Sequence, residues 1–140
     1  SGNWVVDLQR FAEAINNKVW SATRTDMAMI GGITNGKKAM DLSDIGGLDC
    51  EIMSWGYTLV SVANLHLMLS SNNCSFYEQP LPYETFEFGM HDVLRTSKDG
   101  YMHAPTKPGL GVEINWDQMK TRVIHSFYCD KNKEVGLVHA

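Results

Sequence analysis

Apolar positions along the chain keep a helix–strand rhythm as far as Pro82 and then lose it. Val5, Leu8, Phe11, Ala12 and Ile15 recur at helical spacing, which predicts a helix over 5–17 closed by Asn16-Asn17. Residues 19–29 read as a strand ending at the Gly31-Gly32 turn. Thr34 or Asn35 caps a predicted helix that runs to Leu42 or Ile45 and stops at Gly46-Gly47. Residues 49–54 form the next predicted strand, 57–70 a long apolar helix and 74–79 a third strand, bounded by Pro80 and Pro82. Short loops between alternating helices and strands predict parallel α/β units. The strands do not alternate cleanly, as expected where helices cover them.

Beyond Pro82 the signals are local. Residues 83–94 read as a short helix and Asp99-Gly100 as a turn. Residues 101–104 read as a short strand, 105–111 as irregular chain, and Asp117 as the cap of a helix over 118–125. The last residues carry no clear pattern, and no repeat or low-complexity segment interrupts the chain.

Composition narrows the function classes. A net charge of −4 with no basic run argues against a nucleic-acid surface or attraction to anionic lipid. No stretch approaches the ~18 apolar residues of a membrane span, and Ser1-Gly2-Asn3-Trp4 has no signal- or transit-peptide character. Cys50, Cys74 and Cys129 are odd in number and lack CxxC spacing, so neither a disulfide framework nor a zinc site is expected. Cys50 and Cys74, in apolar strand-like runs, read as small hydrophobes, and a reducing, cytoplasmic setting is expected. Lys37-Lys38 follow Gly31-Gly32 without P-loop spacing and read as a solvated helix face. No two histidines stand three or four apart, and His66 reads as a packing residue within its apolar helix.

Four pieces carry a sharper signal: "DMAMIGGITNGKKAMDLSDIGG", then "SWG", then "FYEQP", then "DGYMHAPTKPGLGVEINWD". In this order and spacing they resemble the C-terminal part of the enolase superfamily, in its mandelate racemase/muconate lactonizing enzyme-like subgroup. The resemblance spans residues 1–120. It implies an α/β fold, the C-terminal segment of a (β/α) TIM-like barrel with about three parallel strands, their covering helices and a C-terminal hairpin-like extension. One partial-barrel domain over 1–140 is expected, with β/α units in 1–82 and the extension in 83–140. The family's capping domain and most of its metal-bearing strands would lie outside this sequence.

The same resemblance implies proton abstraction alpha to a carboxylate, with a metal-stabilised enediolate. Functional groups in such barrels sit at the C-terminal ends of strands. Asp26 matches the acid that orients a catalytic histidine on the next strand; read on its own, it is a carboxylate suited to capping the turn that follows. Trp55 stands where that histidine would be. An indole has one N–H donor and no basic nitrogen, so the Asp–His base cannot form, and Trp55 is expected to wall or hydrogen-bond the substrate. Tyr57 adds a hydroxyl, and phenols are poor bases at neutral pH. Glu78 matches the acid that faces the substrate carboxylate or enediolate, or else is a structural acid before Pro80.

The expected catalytic residues are therefore Asp26 and Glu78, and the expected substrate-binding residues Trp55 and Tyr57. No metal ligand is expected, since the family's third metal carboxylate falls nearest the neutral Asn3. Mg²⁺ belongs to the full-length relatives and no cofactor to this chain alone. The implied enzyme is an acid-sugar dehydratase or racemase-like protein, with one-base chemistry favoured over racemisation and the isolated chain inactive. The alternatives are a non-catalytic, self-associating remnant, or a subunit completed by a separate N-terminal polypeptide, since open sheet edges recruit other chains. A homo-oligomer or a complementing chain is the expected macromolecular partner, and an acid sugar the expected small molecule.

Overall fold

The architecture is that of a computed structural model, which describes residues 2, 4–130 and 133–139. Asp7 opens the first helix, α1 (Leu8–Asn16), by accepting a hydrogen bond from the Arg10 amide at 2.8 Å. The helix buries Phe11 completely. The strand that follows, β1, covers only Thr23–Thr25. The expected strand over 19–29 is cut short because Asp26 caps a brief helix, α2 (Met27–Ile30), its carboxylate accepting from Ala28 N at 3.0 Å.

Gly31 and Gly32 turn the chain with φ of 93° and 105°, a left-handed region that favours glycine. Gly32, rather than Thr34 or Asn35, then occupies the cap position of α3 (Ile33–Ile45). The strand β2 (Cys50–Ile52) pairs in parallel with β1, Thr23 opposite Cys50 and Thr25 opposite Ile52. The helix α4 (Thr58–Leu69) follows.

The expected third strand, 74–79, runs along β2 without forming a regular ladder. Cys50 N donates to Asn73 O at 2.7 Å. Farther along, side chains take over the backbone's bonds. The Glu51 carboxylate accepts from Phe76 N at 3.1 Å. The Ser54 hydroxyl accepts from Glu78 N at 2.7 Å and lies 2.9 Å from Glu78 O. Those contacts satisfy the polar groups that a ladder would otherwise pair.

The core lies between the parallel pair and the helices, built from Phe11, Ala39, Met40, Cys50, Ile52, Leu67 and Met68. Alternation along β1 and β2 fixes two faces. Thr23, Thr25, Cys50 and Ile52 are buried, whereas Arg24 and Glu51 are half-buried. Polar groups on the buried side are paired: Thr23 and Ser43 hydroxyls are 2.7 Å apart, and Asn73 Nδ2 donates to Met40 O and Leu48 O at 3.1 and 3.3 Å.

The extension begins with α5 (Tyr83–Phe86), one turn rather than a helix over 83–94. Residues 101–104 form no strand, and a single bridge joins Met90 to Ile114. Asn115, not Asp117, caps α6 (Trp116–Lys120), accepting from Gln118 N at 2.9 Å. The chain then turns away from the helix expected to reach residue 125. It forms an antiparallel hairpin, β3 (His125–Asp130) and β4 (Lys133–His139), with a register shift between Tyr128 and Asp130. His66 reaches from α4 to the extension, its Nε2 3.1 Å from Leu110 O.

Candidate active-site opening at the strand ends

Side chains from β1, from the end of β2 and from the 74–79 run meet at an opening of about 510 Å³, lined by Arg24, Met53, Trp55, Phe76, Tyr77, Glu78 and Gln79. The alternation that buries Thr23, Thr25 and Ile52 leaves Arg24 and Met53 on the other face. Arg24 and Glu78 form an ion pair across it, both about a quarter exposed. A guanidinium–carboxylate pair at a half-buried site is charge-assisted and directional.

Trp55 is 53% exposed, and its ring makes a tilted contact with Phe86, 5.2 Å between centroids at 59°, within the centroid range of aromatic pairs. Phe86 is held in place through its backbone, whose carbonyl accepts from the Thr58 hydroxyl at 3.0 Å. Tyr57 also packs on Phe86, 6.0 Å away, but opens onto a neighbouring cavity of about 550 Å³ with Phe88, Met119 and Arg122. Burial pushes the Tyr77 phenol upward, with a smaller opposing effect from Ser61, so its hydroxyl stays protonated. Gln79 is committed elsewhere: its amide donates to Leu94 O and accepts from Thr96.

The structure thus brings Trp55 and Glu78 to one opening. Tyr57 stands beside it, and Asp26 does not line it, being only 3% exposed. Asp26 Oδ1 accepts from Ala28 N and from Asn64 Nδ2, each at 3.0 Å. Sequence reasoning passed over Arg24 and Asn64. Arg24 carried no motif of its own. Asn64 carried a usable signal, a carboxamide inside the apolar run of α4, where burial is costly without partners.

Among the described residues, no three His, Cys, Asp or Glu side chains gather to hold a metal ion. Glu78 is engaged by Arg24, and Asp26 by amide donors. The described residues therefore do not fit a divalent cation, which seeks several oxygen ligands.

Parallel β/α units with polar groups at an opening beyond their strands define a portion of a (β/α) barrel. The chain belongs to the enolase C-terminal domain-like family, whose model matches residues 2–118. It is 32% identical over 119 residues to the D-galactonate dehydratase family member RspA of Pantoea ananatis, covering 81% of this chain and 28% of that protein. Its structure superimposes with a TM-score of 0.85 on a Pseudovibrio sp. protein provisionally described as a mandelate racemase/muconate lactonizing enzyme, at 37% identity over 99% of this chain and 35% of that one. D-Glucarate dehydratase from Agrobacterium tumefaciens, complexed with magnesium, gives a TM-score of 0.70 at 29% identity, covering 81% of this chain and 30% of the enzyme. The chain spans about a third or less of the length of these relatives.

Proposed function

We propose that the chain supplies the substrate end of an acid-sugar dehydratase in this family. A base carried outside the chain removes the proton alpha to the carboxylate. Arg24 receives substrate anionic oxygens, Glu78 accepts from substrate hydroxyls, and Trp55 walls the opening. The observation that carries this reading is the Arg24–Glu78 ion pair, set beside an exposed indole at the strand ends. Arginine suits the planar recognition of a carboxylate. With an indole at position 55, a second base for racemisation is missing from that side. Nothing in the proposed role passes through a metal held by the described residues, and the isolated chain is expected to show no turnover.

The test is a graft. This chain replaces the corresponding C-terminal part of the Pantoea ananatis relative, and a panel of acid sugars is assayed for the 2-keto product. Dehydration of at least one sugar is expected, with Glu78→Gln lowering kcat/KM by about 10- to 100-fold through the lost charge-assisted hydrogen bond. A folded graft that dehydrates none of them contradicts the proposal.

A second reading draws on the open side of the sheet, where Trp55 and Phe76 are 53% and 66% exposed beside Met53. A separate N-terminal polypeptide, or a second copy of the chain, would cover that side and the unpaired edges. The mass measured in solution, alone and with an N-terminal fragment of a relative, tests this reading; a stable monomer that captures nothing contradicts it.

A further inference from the structure

Asn64 is fully buried on α4, among Val62, Ala63, Leu65 and Leu67. A carboxamide in such surroundings destabilises the fold unless its polar atoms are paired. Here they are paired with the two strand ends. Nδ2 donates to Asp26 Oδ1 at 3.0 Å and to Met53 O at 2.9 Å, and Oδ1 accepts from Met27 N at 3.0 Å. Met53 N in turn donates to Thr25 O at 2.8 Å. Asn64 therefore staples the residues that directly follow β1 to those that follow β2, with both amide hydrogens in use. Two residues beyond Met53, the Trp55 indole packs on Phe86.

We infer that Asn64 is a positioning residue that holds the Asp26 carboxylate for the strand ends, occupying the donor place that an imidazole at position 55 would otherwise take. Asp26 then shapes the opening without touching substrate. The chain lacks the Asp–His base on two counts, and restoring histidine at position 55 does not restore it. This rests on the family reading of positions 26 and 55, but its test needs no turnover, so a failed graft and a failed inference are separate results.

The test is an NMR titration of the imidazole introduced by Trp55→His in the full chain, an exposed substitution that leaves the core intact. Arg24 and Glu78, the charged groups lining the same opening, are common to every variant. The imidazole is expected to titrate near its ordinary value of about 6.5 and to move by less than about half a unit when Asp26→Asn is added. Adding Asn64→Ala instead frees Asp26 and raises the imidazole by about one unit or more. An imidazole already raised by about a unit in the single variant, and brought back by Asp26→Asn, overturns the inference. An imidazole that a folded Asn64→Ala leaves unmoved also overturns the inference, and where Asn64→Ala does not fold, Asn64→Ser takes its place.

Discussion

Two regions of this chain reach order by different physics. From α1 to the 74–79 run, apolar side chains close a core, and the polar groups next to it are paired. In residues 81–124 the buried positions are glycines, Gly89 and Gly111. There turns and loop backbone hydrogen bonds shape the chain, and ion pairs decorate its surface. Glu87 holds Arg95, and Lys107 bridges Asp92 and Glu113 at 2.7 and 3.0 Å. The opening with Arg24, Trp55 and Glu78 belongs to the first region, and Phe86 from the second leans against it. A well-packed part thus carries the polar groups of the candidate site, while a weakly buried part supplies an aromatic wall.

Phe11→Ala should break the first region. Deleting this fully buried ring is expected to cost about 3–5 kcal/mol and to lower the urea midpoint for the whole chain. Gly111→Ala should act on the second region alone. Gly111 has φ of 79°, and an added Cβ would lie 2.5 Å from the Pro105 Cβ. A strained backbone of this kind costs about 1–3 kcal/mol. Amide exchange is expected to quicken across 105–114 and to stay slow in β1 and β2.

Acid gives the smallest and most local effect. A hydrogen bond from Ser97, with help from the Tyr101 amide and His103, holds the Asp99 carboxyl down at about 2, below its ordinary 3.8. The Lys107 ammonium lowers Asp92 in the same direction. A carboxylate with a lowered folded value contributes stability above its ordinary value and loses that contribution as pH falls through the lowered one. Both groups are exposed, so the effect on the melting curve is slight. The Tyr101 amide, which donates to Asp99 at 2.9 Å, should shift with a midpoint near pH 2, while the β1–β2 amides stay in place.

The same division explains what could be read from the sequence. Phe11, Leu8 and Ile15 mark α1 by period alone, because packing on a core enforces that period. Helix α3 was legible from its Gly46-Gly47 stop and α4 as a long apolar run, and the four family pieces pointed to Asp26, Trp55 and Glu78. The 74–79 run was legible as extended chain but not as one tied by Ser54 and Glu51 side chains, since such bonds depend on which side chains meet. The short α2 was hidden because one Asp26 side chain outweighs the apolar run Met27–Ile30. Arg24 and Asn64 were missed because their meaning comes from partners 54 and 38 residues away, Glu78 and Asp26. The final hairpin had no pattern in its own residues and was implied only by the resemblance, and the apparent helix over 118–125 rested on Asp117 when Asn115 was the cap.

On the proposed function, this barrel end holds substrate but offers no base at position 55. The most direct measurement follows the C2 stereochemistry of recovered acid sugar after the grafted enzyme has turned over in D₂O. The account predicts a dehydrated product and recovered substrate with its original C2 configuration. Recovered substrate that is inverted at C2 and carries deuterium there would contradict it.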